Sequence, residues 1–440
     1  MASNSHDGES LVQRSGTEVG IDRAGAVDGD AATNAMTVSS PAVLRRDLTV
    51  LPLGEDLILF SEEAQCILGL NPSASLVLEE LQRGTSEREI IGKLAAIAGT
   101  PEAAEEWLST IRGALASHGL MAGSEAPALK GPSIPDDRWS ADRIATMPPY
   151  APFSAVAEKR YLLLETCALI RYSHRGQLRM VDAVIGHLAT DASREPTVTI
   201  ELAGLTQPDG FLRTDVYRDK EPVAYAARQS MIGPTVKGVL WQTAINAHDF
   251  LFYIHAGVVG TPNGCILLPA QAGSGKSSLT AALIHRGFRY FSDEVALIQR
   301  ADFRVPAMPL AICVKSTAWD LMAKYYPNIT EVPMHWRDDG KRVRYLPPIN
   351  SQSWMPAPVT HIVFPCYNAE AQTVLQPMSR SDALGRLMGE CLALRQRLDY
   401  GIVQQLVTWM KEITCYNLTF SSLDAAADAV TELTKTKLSA

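Results

Sequence analysis

Apolar and polar positions change their spacing several times along the chain, and each change predicts a different kind of element. From Leu44 onward, the apolar runs LTVLPLG, DLILFS and QCILGL are separated by turn residues and predict three short strands. Three segments with helical spacing follow, and together these elements predict an α+β unit over residues 41–122. Residues 1–40 contain no aromatic residue and are expected to form a disordered tail. The expected helix starts are Asn71, Thr85 or Ser86, and Thr100.

A change in composition separates this unit from the rest of the chain. Residues 123–150 hold five prolines among polar residues, which predicts an extended linker. Strand-like runs then fill residues 155–250, and strands alternate with helices from there to residue 440. This alternation favours a sheet covered by helices. We therefore expect a second unit over residues 151–440 whose first part is rich in strands.

Composition and charge exclude several classes of function. With 46% hydrophobic and 20% charged residues, the chain resembles an ordinary globular protein. Its net charge of -8 creates no field that attracts nucleic acid, so no nucleic-acid partner is expected. The seven cysteines are scattered and odd in number, which argues against a zinc site or a disulfide framework. No apolar run approaches the ~18 residues of a membrane span and the first ten residues lack signal-peptide features, so we expect a cytoplasmic protein without a membrane partner.

The most specific motif lies in GCILLPAQAGSGKSSLTAALIHRG, where an apolar strand, a glycine-rich loop and a helix follow one another. It matches A-x-x-x-x-G-K-S, a P-loop in which Ala270 replaces the first glycine. Such a loop points backbone N–H groups and a helix N-terminus at phosphate. Lys276 is expected to reach the β- and γ-phosphates of ATP, and Ser277 to ligate Mg²⁺. The predicted nucleotide-binding residues are Ala272, Gly273, Ser274, Gly275, Lys276, Ser277 and Ser278.

Two adjacent carboxylates follow the predicted P-loop helix. Asp293 and Glu294 come only 17 residues after Lys276, at the end of a short strand. Adjacent carboxylates are costly to bury unless a metal, a proton or a cation satisfies them. A returning strand at this distance would lie beside the phosphate site. A solvated acidic turn is the alternative interpretation.

The order of a His-bearing strand, a P-loop, an Arg-Gly pair and an acidic pair resembles the catalytic domain of HPr kinase/phosphorylase and of the smaller lasso-peptide-kinase-like relatives. The resemblance implies an α/β P-loop kinase domain with Lys276, His255 and Asp293 as catalytic residues, Asp293 being the base toward a serine hydroxyl. It also implies that Ser277 and Glu294 hold metal, although the family has Asp at the second acidic position. A buried core histidine is the alternative for His255. Relatives include hexamers, so a homo-oligomer is a further expectation.

Basic residues further along the chain are candidates for contact with phosphate or peptide. The E-x-R-G-x-G stretch that HPr kinase/phosphorylase uses for phosphorolysis is absent. In its place, PLAICVKSTAWDLM and KRVRYLPP resemble segments of HPr-kinase-like proteins found beside peptide-modification genes. This resemblance implies roles for Lys315, Arg342 and Arg344. A solvated strand face is the alternative.

Residues 44–121 resemble the PqqD family, on LGEDLILFSEEAQCILGLNPSASLVLEELQRGTSEREIIGKLAA and the closing ALASHGLM. The resemblance implies a small α+β, winged-helix-like domain that binds the leader segment of a ribosomally made peptide. Strand addition is the physical basis: the peptide pairs with an exposed strand edge beside a helix. The alternative is that the apolar residues are core. The implied groove residues are Gln65, Ile67, Trp107, Ile111 and Leu115.

Together these patterns predict an ATP- and Mg²⁺-dependent kinase whose partner is a precursor peptide or protein. A kinase for a small molecule or a carrier protein is a second hypothesis, in which the N-terminal unit serves only for docking. A nucleotide-gated peptide chaperone or scaffold is a third hypothesis. The third function needs Lys276 and Ser277 but no base, so Asp293 discriminates between the hypotheses. The acceptor residue and the choice between ATP and GTP stay open.

Overall fold

The computed structural model describes residues 44–122, 141–206, 212–349, 355–394 and 396–435. The predicted tail over residues 1–40 and most of the predicted linker lie outside the described residues. The chain is a mixed α/β protein with several sheets, and it divides into two compact units. Within the described ranges, no helix has both the length and the apolar surface needed to cross a membrane.

The described helices and strands are numbered in chain order. The strands are β1 (Leu48–Leu53), β2 (Asp56–Ser61), β3 (Cys66–Leu70), β4 (Ala157–Leu163), β5 (Thr166–Tyr172), β6 (Val198–Thr206), β7 (Leu212–Arg218), β8 (Glu221–Ala226), β9 (Phe250–Ile254), β10 (Ala256–Thr261), β11 (Gly264–Pro269), β12 (Arg289–Ser292), β13 (Ala296–Gln299), β14 (Ile312–Lys315), β15 (Met334–Trp336), β16 (Arg342–Leu346), β17 (Val359–Tyr367), β18 (Val374–Pro377), β19 (Cys391–Leu394) and β20 (Thr414–Phe420). The helices are α1 (Pro72–Gln82), α2 (Glu87–Ala98), α3 (Pro101–Ser117), α4 (Ala141–Ala145), α5 (Arg175–Ile185), α6 (Ile232–Asn246), α7 (Lys276–His285), α8 (Trp319–Met322), α9 (Arg380–Gly389), α10 (Tyr400–Lys411) and α11 (Leu423–Lys435).

The first unit is built on the antiparallel sheet β1-β2-β3, and the helices α1, α2 and α3 form an apolar core with one of its faces. The helix starts agree with the sequence signals. Asn71 accepts a hydrogen bond from the N–H of Ala74 at 2.9 Å, and Thr100 caps α3 in the same way. Ser86 begins α2 with a capping box. Capping chemistry therefore fixes the three helix starts locally.

The second face of this sheet is covered by two helices from much later in the chain. Side chains alternate between the faces of a strand, so Ile58 and Phe60 point away from Leu59 in the α1–α3 core. Both are fully buried because α9 and α10 pack on this side. Residues 379–389 and 397–412 thus belong to the first unit, which corrects the expectation that they form part of the second. The physical reason is that an apolar sheet face needs a cover.

The second unit begins with the five-stranded sheet β4-β5-β6-β7-β8, and α5 and α6 pack against it around a large apolar core. A six-stranded sheet follows, in the order β12-β10-β11-β17-β20-β18. The helices α7 and α11 share a core with β10, β11, β17 and β20 of that sheet. Two three-stranded sheets, β13-β9-β19 and β14-β16-β15, complete the described part of the unit.

Candidate functional site

The candidate site lies at one edge of the six-stranded sheet, namely the edge where the carboxyl ends of β11 and β12 meet. Strand β10 is antiparallel to both of its neighbours, β11 and β12, so these two strands run in the same direction. The loop after β11 and Asp293 after β12 therefore leave the sheet at the same edge. His255 precedes β10 and lies at that edge as well, because Ala256 pairs with Pro269 at the end of β11. The topology thus brings three predicted segments together.

The loop between β11 and α7 has the conformation that its glycines allow. Gly273 and Gly275 have φ values of +99° and +85°, a left-handed region that other residues enter at a cost. A Cβ on Gly275 would also lie 2.8 Å from Cζ of Phe420. Helix α7 begins at Lys276, so its unpaired N–H groups face this edge of the sheet. A phosphate group is the ligand that such a helix start favours.

Lys276 and Asp293 form the buried centre of the site, with exposed fractions of 7% and 4%. Burial lowers the pKa of Lys276, while the charges of Asp293 and Glu294 act in the opposite direction. Burial likewise raises the pKa of Asp293 to about 6, although Lys276 opposes this change. The pKa of Asp293 therefore lies close to neutral pH, as the pKa of a general base should.

The two carboxylate oxygens of Asp293 differ in their partners. Oδ2 accepts a hydrogen bond from the N–H of Cys313 at 3.3 Å, and the nearby Ser277 hydroxyl acts to lower the pKa of the carboxyl group. Oδ1 is buried and has no hydrogen-bond partner among the described residues. A buried acceptor without a partner fits an incoming proton or a cation. Asp293 and Ser277 together provide the oxygen donors that Mg²⁺ prefers.

Glu294 does not fit the metal-binding role that the resemblance implied. Its Oε2 lies 2.6 Å from Nζ of Lys237, and the Lys237 side chain is only 6% exposed. The ammonium thus occupies the carboxylate that was expected to hold metal. Among the described residues, no three His, Cys, Asp or Glu side chains gather into a group that could hold a metal ion. Any Mg²⁺ here would therefore depend on few protein ligands and on phosphate oxygens.

His255 is tied to the loop and to a residue that the sequence did not suggest. Its N–H donates to the carbonyl of Glu390 at 2.8 Å, and its own carbonyl accepts from the N–H of Ala270 at 3.3 Å. Its Nδ1 lies 3.5 Å from Oε2 of Glu390, whose charge also acts on Lys276. His255 is half-buried, with its backbone N–H and carbonyl both hydrogen-bonded.

The three basic candidates have different surroundings. Lys315 is the last residue of β14. Burial is the main reason why the pKa of Lys276 is lowered, and the positive charge of Lys315 lowers it further, so Lys315 lies beside the site. Arg344 instead places its guanidinium 4.4 Å from the Trp319 ring and donates to a backbone carbonyl. It therefore serves packing, which corrects the expectation of a phosphate or peptide contact. Arg342 lies exposed on β16, as the alternative of a solvated strand face implied.

Lys237 and Glu390 are the residues that sequence reasoning missed. Lys237 lies on α6, a helix with buried residues on every side, and a single lysine within such an apolar segment was a usable signal. Glu390 follows α9 directly and is separated by more than 100 residues from the loop. Nothing in its local sequence distinguishes it from a surface glutamate.

The predicted peptide groove is only partly supported in the first unit. Ile111 and Leu115 are 1% exposed and belong to the α1–α3 core, so their assignment to a groove is wrong. Trp107 is partly buried against the same core, and Ile67 is partly buried on β3. The Gln65 amide makes two 2.7 Å hydrogen bonds with the backbone of Leu398. Gln65 therefore fastens the segment that leads into α10.

The edge of β3 is the part of the predicted groove that the fold leaves available. In the described sheet, β3 pairs with β2 on one side and with no strand on the other. The opposite edge strand, β1, contains Pro52, which has no N–H to donate to a further strand. Strand addition is therefore better suited to β3 than to β1.

Comparison with known proteins adds nothing to this geometry. No family of known proteins matches the chain, and neither does any curated protein.

Proposed function

We propose that the chain is an ATP-dependent kinase that phosphorylates a serine hydroxyl of a ribosomally made peptide. One observation carries this proposal: a glycine-rich loop and a helix start lie at the same sheet edge as Lys276 and the buried Asp293, whose Oδ1 has no described partner. A binding site for nucleotide alone needs the loop and the lysine. A buried carboxylate with a pKa raised to about 6 is the additional group that phosphoryl transfer to a hydroxyl needs.

In the proposed reaction, Asp293 accepts the proton of the serine hydroxyl while the serine oxygen forms a bond to the γ-phosphorus of ATP. The bond between that phosphorus and the β–γ bridging oxygen breaks, and ADP leaves. Lys276 and the loop N–H groups hold the phosphate oxygens in line, and positioning of this kind accounts for most of the catalysis. Ser277 and Asp293 would hold Mg²⁺ together with phosphate oxygens, and the bound ion would supply positive charge at the transferring group.

The first unit would hold the leader segment of the peptide. The free edge of β3 supports this role, and the partly buried Ile67 on that strand offers an apolar contact. Main-chain pairing at a strand edge gives affinity, while side-chain contacts select the sequence. This assignment extends the resemblance to PqqD domains and stays a proposal.

The proposal is tested by incubating the full chain with ATP, Mg²⁺ and the candidate precursor peptides encoded beside its gene. We expect a mass increase of about 80 Da on one peptide, which is one phosphoryl group on a hydroxyl. Asp293→Asn serves as the control that keeps the loop but lacks the base. ATP binding without phosphoryl transfer to any peptide would instead favour the nucleotide-gated scaffold. Phosphorylation of a small molecule alone would favour the second kind of kinase.

A further inference from the structure

Lys237 is a cation that the folded chain places inside the candidate site from a distant element. It lies on α6, which packs against the five-stranded sheet, and 4% of the residue is exposed. Its Nζ lies 2.6 Å from Oε2 of Glu294. A buried ammonium is stable only with a partner of opposite charge or good hydrogen bonding. The pairing with Glu294 therefore explains why this lysine is tolerated within an apolar helix.

The surroundings of this ion pair are fixed by neighbouring strands. The Lys237 ammonium lies 5.3 Å from the centre of the Tyr345 ring on β16. Cys313 on β14 lies opposite Tyr345 in the strand register, and its N–H donates to Asp293. The Cys313 Sγ accepts a hydrogen bond from Arg337 at 3.8 Å. The ion pair and the predicted base are thus held by the same pair of strands.

We propose that Lys237 takes the place of a second divalent cation at the acidic pair. Its ammonium occupies Glu294, so that the site takes one metal ion, at Ser277 and Asp293, and not two. Lys237 is then a positioning residue, because it acts through Glu294 and touches neither phosphate nor acceptor. The proposal depends on the nucleotide site proposed above, and it concerns the number of metal ions that this site accepts.

The test counts Mn²⁺ ions bound to the full chain in the presence of the non-hydrolysable nucleotide AMP-PNP, by electron paramagnetic resonance of free Mn²⁺. The wild-type chain is expected to bind one Mn²⁺. Lys237→Met keeps the length of the side chain but removes its charge, and is expected to bind two. Lys237→Arg keeps the charge and should bind one. The double variant Lys237→Met with Glu294→Gln should return to one, which shows that the second ion depends on that carboxylate.

Two results would overturn the proposal: a wild-type chain that binds two Mn²⁺, or a folded Lys237→Met variant that still binds one. If Lys237→Met does not fold, Glu294→Gln decides the matter alone. It should leave the affinity of the single Mn²⁺ unchanged, and a loss of about tenfold or more would show that Glu294 is a metal ligand. A chain that binds AMP-PNP and one Mn²⁺ but phosphorylates nothing would refute the kinase and leave the role of Lys237 standing. Failure of AMP-PNP to bind would refute both.

Discussion

The β10–β12 edge of the second unit and the β1–β3 sheet of the first unit treat their buried polar groups differently. In the first unit, Ser381 donates to Asp56, and the Gln65 amide is paired on both its oxygen and its nitrogen. Among the described residues, the buried side-chain atoms without a hydrogen-bond partner all belong to the second unit. Around α7 they include atoms of Thr280, Asp293 and Tyr326.

This difference separates a region built for stability from a region built for chemistry. A satisfied polar group stabilises a fold, whereas a buried group without a partner destabilises it. Such groups persist where function requires them, as at ligand sites. We call the β10–β12 edge, with the loop between β11 and α7, the loop edge. The contrast predicts that substitutions at the loop edge act mainly on activity, and that substitutions in the β1–β3 sheet act mainly on stability.

The largest expected effect comes from Lys276→Ala. It removes the buried cation at the start of α7, and phosphoryl transfer should fall by about 10³ to 10⁵-fold, the scale known for a fixed cation at the transferring group. The rate is measured as phosphopeptide formed by mass spectrometry. Leader-peptide binding should be retained, because β3 is unaffected. Lys435→Ala is the matched control, since this lysine is exposed on α11. Undiminished transfer by Lys276→Ala would show that the loop does not bind ATP.

The second prediction separates activity from stability at one residue. Asp293→Asn cannot accept a proton, so turnover should fall by about 10² to 10⁴-fold, while AMP-PNP binding measured without added metal changes little. In the wild-type chain, turnover should rise with pH through about 6, where Asp293 ionises.

Asp293→Asn is expected to lower turnover but to raise the stability of the fold. Burial raises the pKa of Asp293 from 3.8 to about 6, so ionisation destabilises the folded chain as pH rises through this range. Asp293→Asn should therefore increase the free energy of unfolding at pH 7 by roughly 2 to 3 kcal/mol. Urea unfolding at pH 7 measures this increase, which should shrink to less than about 1 kcal/mol near pH 4 and vanish only below the unfolded pKa of 3.8. A variant that loses both activity and stability would contradict the comparison.

The third prediction concerns the backbone of the loop. Gly275→Ala places a Cβ at a φ of +85° and against the Phe420 ring, so the loop should shift and AMP-PNP should bind about 10 to 100-fold more weakly. Calorimetry measures the affinity. Gly113→Ala on α3 is the control, because no atom lies within 4 Å of its Cβ position. Equal nucleotide affinity in both variants would show that the loop conformation is irrelevant to binding.

Local motifs predicted the residues of the site more completely than the boundaries of the two units. The loop, Lys276, Ser277 and Asp293 lie within 24 residues, so one strand, one helix and one returning strand suffice to bring them together. Asn71, Ser86 and Thr100 were predictable for the same reason, since capping depends on neighbours in sequence.

Interactions between distant segments could not be read in this way. Lys237 reaches Glu294 across 57 residues, and α9 covers β3 more than 300 residues after it. Tertiary packing decides both. The run DLILFS did contain a signal, because four consecutive apolar residues on β2 indicate a strand buried on both faces. The cover of the second face was not identifiable from the run itself.

The smallest expected effect is at Gln65, where the first unit should respond in stability alone. Gln65 has a φ of +51°, an unfavourable conformation that its two 2.7 Å hydrogen bonds to Leu398 offset. Gln65→Ala leaves the N–H and the carbonyl of Leu398 without these partners, so the free energy of unfolding should fall by about 1 to 3 kcal/mol. Urea unfolding measures this loss.

The control for Gln65 is Gln405→Ala, which removes an exposed glutamine of α10 and should change stability by less than about 0.5 kcal/mol. The rate of phosphoryl transfer at saturating peptide should be the same in both variants, since neither residue contacts the loop edge. If Gln65→Ala slows transfer at saturating peptide while stability is unchanged, the division between a stabilising region and a chemical region is wrong. In that case β3 and the segment leading into α10 participate in the reaction itself.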